Sequence, residues 1–159
     1  MQIIAITGHA NEGKTTTVLN LIDLLCVEAE KRNYTAKKSS YNSIKVVEIP
    51  NLKLTFAFGA AGDVASQVQE NCVAAAEINA DIFIQTTRTK GQGVDKLFFF
   101  AKNTHDIVQI GTVSKYFGLE SQFFADDQSV SAINEIQTQN VWNLLLYILQ
   151  KKYKFGGPA

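Results

Sequence analysis

Eight residues near the start of the chain have the types and spacing of a phosphate-binding loop. They are Gly8-His9-Ala10-Asn11-Glu12-Gly13-Lys14-Thr15. The two glycines, Gly8 and Gly13, permit backbone angles and close approaches that a Cβ would block. The backbone N–H groups of residues 10–16 are then expected to converge on a phosphate oxygen at the positive end of a helix.

The lysine and the threonines that follow have separate roles in this chemistry. Lys14 supplies a positive charge to the β- and γ-phosphates, and Thr16 is placed to reach the α-phosphate. The Thr15 hydroxyl is a candidate metal ligand, because Mg²⁺ binds few protein groups beside phosphate oxygens. The predicted nucleotide-binding residues are therefore Gly8, His9, Ala10, Asn11, Glu12, Gly13, Lys14, Thr15 and Thr16.

This segment lies where the motif requires, between a strand and a helix. Residues 2–7 are a short Ile-rich run that predicts a buried strand, and residues 14–31 show helical spacing of apolar side chains. On residues 8–15, and more loosely on the strand–helix order over 1–111, the chain resembles the P-loop NTPase superfamily. The resemblance implies a nucleoside triphosphate, by default ATP, bound with Mg²⁺.

Two residues inside the motif depart from subgroups of that superfamily. Partition-type ATPases carry a second lysine where this chain has His9, so their dimer-dependent mechanism does not transfer. Glu12 places a carboxylate beside the phosphates. It is either a solvated side chain or a group that orients water or substrate.

An acidic residue at the end of an apolar strand, the usual Walker B feature, is missing. The best candidate strand is 52–58, which is followed by Gly59-Ala60-Ala61-Gly62-Asp63. This segment resembles the Asp-x-x-Gly region of Ras-type GTPases, with Gly59 in place of the metal-side Asp and Asp63 where the attacking water is oriented. Asp63 could equally cap the next helix. Asp81 begins its strand and is a poorer metal candidate, because ligands lie at strand carboxyl ends.

Two polar segments are further candidates for the site. Arg88 and Lys90 follow the strand at 81–87 and could neutralise phosphate charge, hold an acidic second substrate, or be solvated. The polar loop 36–43 follows the first helix, and its hydroxyls could complete the Mg²⁺ shell or be ordinary loop polarity. The predicted catalytic residues are Lys14, Asp63 and Arg88.

The sequence gives little indication of which nucleotide base would be bound. The segment after strand 106–110 lacks the Asp that holds guanine in guanine-specific P-loop proteins, and 103–106 precedes that strand. Tyr116 and Phe117 could stack on a base or belong to the core. His9 and His105 have no partner pattern and are expected to be structural or solvated.

The order of elements predicts an α/β fold. Strands are expected at 2–7, 43–49, 52–58, 81–87 and 106–110, and helices at 14–31, 63–79, 94–103 and 129–153. Residues 33–43 are predicted as a loop, and 114–128 fit no element. We expect a three-layer αβα sandwich with a mostly parallel sheet and one antiparallel edge strand, from the 44–58 hairpin. A single domain would span 1–155, with a disordered tail at 156–159.

Composition excludes several classes of protein. The chain has 159 residues, 15 basic and 15 acidic side chains, and two cysteines, Cys26 and Cys72. Zero net charge gives no reason to expect nucleic acid or an anionic membrane. No apolar run approaches the ~20 residues of a membrane span. A cytoplasmic protein with reduced thiols is expected.

Three functions fit these observations. The first is a Mg²⁺-dependent nucleotide-binding protein with slow NTP hydrolysis. The second is a small-molecule or nucleotide kinase, with Arg88 and Lys90 on the acceptor. The third is a non-hydrolysing switch or adaptor. A protein partner, or a homodimer through the edge strand of the hairpin, would fit any of them.

Overall fold

The computed structural model describes residues 1–8, 13–112 and 127–157, and for 127–130 the backbone alone. Within these ranges ten main elements follow one another: β1 Gln2–Thr7, α1 Lys14–Lys31, β2 Lys37–Tyr41, β3 Ile44–Ile49, β4 Leu54–Gly59, α2 Ala65–Glu77, β5 Ile82–Thr87, α3 Gln92–Ala101, β6 Asp106–Gly111 and α4 Asp127–Tyr153. The predicted α/β order is confirmed, with β2 as an additional strand.

The described strands form one mixed sheet in the order β2-β3-β4-β5-β1-β6. β1 is parallel to both β5 and β6, and β4 is parallel to β5. β3 is antiparallel to both of its neighbours, β2 and β4. The mostly parallel sheet is therefore confirmed.

The predicted position of the antiparallel strand is wrong, because β2 covers the outer side of β3. β2 has the sequence Lys-Lys-Ser-Ser-Tyr, and all five side chains are exposed. Backbone pairing with β3 defines it as a strand, and no apolar pattern marks it in the sequence. The 44–58 hairpin therefore has no open edge for a second chain.

Helices cover both faces of the sheet, because successive strand residues point to opposite sides. On one face α1 and α4 pack on Ile4, Ile6, Phe56, Phe58 and neighbouring residues. On the other face α2 and α3 pack on Ile3, Ala5, Ala57 and Phe83. After α4, Phe155 is buried in the first of these cores, and the Gly156 N–H donates to Tyr34 Oη at 3.2 Å. Among the described residues no helix is long and apolar enough to cross a membrane.

The parallel strands bring their carboxyl ends to one edge of the sheet. Thr7, which ends β1, is in register with Thr87 of β5 and Gly111 of β6. Gly59, which ends β4, is in register with Gln85 of β5. The loops that leave these ends, including the one that enters α1, lie along the same edge, where ligands bind in open α/β sheets.

Candidate functional site

The turn from β1 into α1 is described at Gly8 and again from Gly13 onward, and Gly13 has a backbone conformation that favours glycine. Gly13 caps α1 in the left-handed region, with φ of 80° and ψ of 18°. A Cβ at Gly13 would also clash with the side chain of Asn134 on α4. Both constraints favour glycine, which adopts this region without steric cost. His9, Ala10, Asn11 and Glu12 lie outside the described residues, so the predictions made for them stay predictions.

Lys14, the first residue of α1, has its ammonium group at this turn. The side chain is only 6% exposed, and Nζ donates to the Gly8 carbonyl at 3.1 Å. Nζ also lies 3.3 Å from Asp63 Oδ1, on the loop after β4. A buried ammonium is stable only when it is paired and hydrogen-bonded, and here a carboxylate and a carbonyl supply that pairing.

Arg88 approaches the same carboxylate from the loop after β5. Its Nε lies 3.6 Å from Asp63 Oδ1, and about half of each side chain is exposed. The three residues predicted to be catalytic, Lys14, Asp63 and Arg88, therefore form one charged cluster with Asp63 at its centre.

The alternative role of Asp63 as a helix cap is wrong. α2 begins at Ala65, its N-cap residue is Val64, and no side chain accepts a hydrogen bond at that cap. The carboxylate of Asp63 instead points toward the two cations. Asp63 lies one residue before the N-cap, and its charge is used in the ion pairs.

Thr15 lies beside this cluster and contacts the same loop. Its hydroxyl donates to the Ala60 carbonyl at 3.2 Å, and Thr86 Oγ1 donates to that carbonyl at 2.8 Å. Thr15 and Thr16 are both exposed to solvent on the first turn of α1. The Thr15 oxygen is thus held at the cleft while still accessible to a ligand.

A cleft of about 530 Å³ opens between the start of α1 and the loop that enters α2. Its lining comprises Gly13, Lys14, Thr15, Thr16, Ala60, Ala61, Gly62, Asp63, Val64, Ser66 and Gln67. We call it the α1 cleft. The volume is in the range of small-molecule sites, about 300–1,000 Å³. Cationic, hydroxyl and carboxylate groups converge in it.

A buried amide network, which the sequence analysis did not identify, lies against the end of β4. Asn71 Nδ2 donates to Gln85 Oε1 at 2.9 Å, and both side chains are fully buried. A Cβ at Gly59 would clash with Gln85, so the end of β4 has no room for an aspartate while Gln85 holds this position. The polar run Gln85-Thr86-Thr87 at the carboxyl end of an apolar strand was the available signal.

The predicted metal-shell role of residues 36–43 finds no support, because most of that segment is β2. Three strands separate β2 from β1 in the sheet. Ser39 and Ser40 are exposed on this outer strand, and the Ser43 hydroxyl donates to Asn71 Oδ1 at 2.6 Å. The hydroxyl of Ser43 therefore supports the amide network from outside the α1 cleft.

The remaining candidate residues either make structural contacts or lie outside the described residues. Asp81 Oδ2 accepts a hydrogen bond from the Thr55 N–H at 2.9 Å, at the opposite end of β5 from the cleft. His105 stacks against Phe100, with ring centroids 5.0 Å apart, and partial burial lowers the pKa of its imidazole. Tyr116 and Phe117 lie outside the described residues. Within the described ranges no three His, Cys, Asp or Glu side chains are grouped as metal ligands.

Comparison with known proteins gives no relative for this chain: no family model, no curated protein and no solved structure matches it.

Proposed function

We propose that the chain binds a nucleoside triphosphate, most simply ATP, with Mg²⁺ in the α1 cleft and hydrolyses it slowly. The observation that carries this proposal is the position of Lys14. Its ammonium group is buried at the start of a helix, after a glycine with positive φ, at the carboxyl edge of a parallel sheet. Together with the complete Gly-x-x-x-x-Gly-Lys-Thr sequence, this favours a P-loop type of nucleotide site.

The contacts of Lys14 suggest how the phosphates would be received. In the structure the ammonium is neutralised by Asp63, a carboxylate that is half-exposed and can turn away. Phosphate oxygens would take its place on Lys14 and would lie on the positive end of α1. The start of α1 and Lys14 would then supply local positive charge for the phosphates, although the chain as a whole has zero net charge.

The oxygen donors of the cleft fit Mg²⁺, which prefers hard oxygen ligands. Thr15 Oγ1 is the protein ligand expected from the sequence, and Thr15 and Asp63 both line the cleft. When bound, Mg²⁺ would supply positive charge that offsets the negative charge developing on the phosphates during hydrolysis. Asp63, once released from Lys14, would orient the attacking water.

A non-hydrolysing nucleotide switch is the second candidate, and one observation favours it. β4 ends in Gly59, where Gln85 fills the space that a metal-side aspartate would need. The loop from Gly59 to Asp63 contacts both Lys14 and α2, so a phosphate that displaces Asp63 would also act on the start of α2. Binding without turnover would be the signature of this function.

Binding and turnover are tested with Lys14→Ala and a matched control, Lys37→Ala, which removes an exposed lysine on β2. We expect Mg²⁺–ATP to bind the native chain and the control equally in calorimetry, and Lys14→Ala to bind at least about tenfold more weakly. Phosphate release without any acceptor supports hydrolysis, and binding without release supports the switch. Unchanged affinity in Lys14→Ala would refute both.

A further inference from the structure

A second cleft of about 410 Å³ adjoins the α1 cleft on the far side of Asp63. It is lined by Gly62, Asp63, Val64, Ala65, Arg88, Lys90, Gly91, Gln92 and Gly93. Gly62, Asp63 and Val64 also line the α1 cleft, so one wall separates the two spaces. We call this second space the α3 cleft.

Positive charge surrounds the α3 cleft from several elements. Arg88 and Lys90 contribute two cationic side chains from the loop after β5. The starts of α2 and α3 both line the cleft, and neither has a side-chain cap on its N-terminal N–H groups. Helix starts of this kind carry partial positive charge and free donors that attract anions.

Among the described residues that line the cleft, Asp63 alone is acidic, and its Oδ1 is already paired with Lys14 and Arg88. Asp95 is in the first turn of α3 but does not line the cleft. The balance of charge in the α3 cleft therefore favours an anion.

We propose that the α3 cleft binds the oxyanion group, phosphate or carboxylate, of a second small ligand. Arg88 and Lys90 supply the counter-charge, and the first-turn N–H groups of α3 donate hydrogen bonds. The cleft is large enough for a compact metabolite-sized anion. The inference rests on the proposed function in one respect. It takes the group that lies on the other side of Asp63, in the α1 cleft, to be the terminal phosphate of a nucleotide.

Inorganic phosphate is the probe, and equilibrium dialysis with labelled phosphate measures its binding. The protein is first saturated with Mg²⁺ and β,γ-imido-ATP, so that the α1 cleft is filled. The variant is the double substitution Arg88→Ala/Lys90→Ala, which removes both cationic side chains of the lining. The control is Lys96→Ala, which removes a lysine of α3 that does not line the α3 cleft.

We expect one phosphate to bind beside the nucleotide, with affinity at least about tenfold lower in Arg88→Ala/Lys90→Ala and unchanged in Lys96→Ala. No phosphate binding to the loaded protein, or equal binding by the double variant, would overturn the inference. Competition by glycerol 3-phosphate would identify the anion as part of a second substrate. Its failure to compete would identify the phosphate released from the nucleotide.

The two proposals fail separately in this design. If β,γ-imido-ATP does not bind, the proposed function fails, and phosphate is titrated onto unliganded Lys14→Ala, in which the α1 cleft has lost its cation. Phosphate binding there that still depends on Arg88 and Lys90 would preserve the α3 cleft as an anion site. Phosphate binding independent of them would overturn it.

Discussion

Lys14 Nζ lies 3.3 Å from Asp63 Oδ1, so the lysine of the phosphate-binding motif is paired with a carboxylate of the loop that enters α2. The ammonium is nearly buried, whereas Asp63 is half-exposed and shared with Arg88. A phosphate that binds Lys14 must therefore compete with Asp63. The strength of this ion pair sets part of the cost of nucleotide binding.

Asp63→Asn should bind Mg²⁺–ATP about two- to fivefold more tightly, because the phosphates no longer displace a charged partner of Lys14. Its rate of phosphate release should fall by at least about tenfold, since an amide is a poor base for orienting water. Calorimetry and a phosphate-release assay measure the two effects. Asp95→Asn, on the first turn of α3, is the matched control. Weaker binding by Asp63→Asn would show that the carboxylate holds the nucleotide complex instead of competing with it.

The proposed role of Thr15 as a Mg²⁺ ligand can be tested separately. Thr15→Val removes the hydroxyl and keeps the side-chain volume, and Thr15→Ser keeps the hydroxyl. We expect Thr15→Val to need at least about tenfold more Mg²⁺ for nucleotide binding, and Thr15→Ser to behave like the native protein.

A Mg²⁺ titration at fixed nucleotide concentration measures the difference, and the metal-free affinity of the two variants should agree. The lost hydrogen bond to Ala60 should cost only about 1 kcal/mol of unfolding free energy. Identical Mg²⁺ dependence in both variants would exclude Thr15 as a ligand.

Gly62 should tolerate no side chain. A Cβ there would overlap the backbone carbonyl of Thr86, which cannot move without breaking β5. Gly62→Ala should therefore lower the unfolding free energy by about 1–3 kcal/mol. Gly111→Ala is the control, because a Cβ at Gly111 meets no atom within 4 Å and should change stability by less than about 0.5 kcal/mol. Chemical denaturation of the two variants makes the comparison, and equal stability would mean that the loop after β4 is easily displaced.

The parts of the fold that local patterns encode were predictable. β1 and α1 have the predicted bounds, because an Ile-rich run and a helical apolar stripe identify them without distant contacts. β2 was missed since its exposed polar residues become a strand only by pairing with β3. Backbone pairing between exposed polar residues leaves no apolar period in the sequence, even across a turn as short as Asn42-Ser43.

The residues of the candidate site also differ in whether the sequence predicts them. The motif identified Lys14, and the resemblance of 59–63 to a segment of Ras-type GTPases brought in Asp63. The rule that parallel strands share a carboxyl edge brought in Arg88. Asn71 was not identified, because a polar residue in a helix is usually on the surface. Its burial depends on Gln85 and Ser43, which lie 14 and 28 residues away in sequence.

The two cysteines should differ in reactivity. Burial raises the pKa of the Cys72 thiol to about 12, and it also raises the pKa of the half-buried Cys26, where nearby Lys38 acts in the opposite direction. Because the thiolate is the reactive form, Cys72 should react with a disulfide reagent much more slowly than Cys26 at pH 8. The Cys26→Ser protein isolates Cys72, and its rate should keep rising between pH 8 and 10 without a plateau, since a raised pKa lies above this window. Addition of denaturant should remove the difference between the two thiols. A plateau below pH 10 in Cys26→Ser would contradict the buried environment of Cys72 between α2 and the sheet.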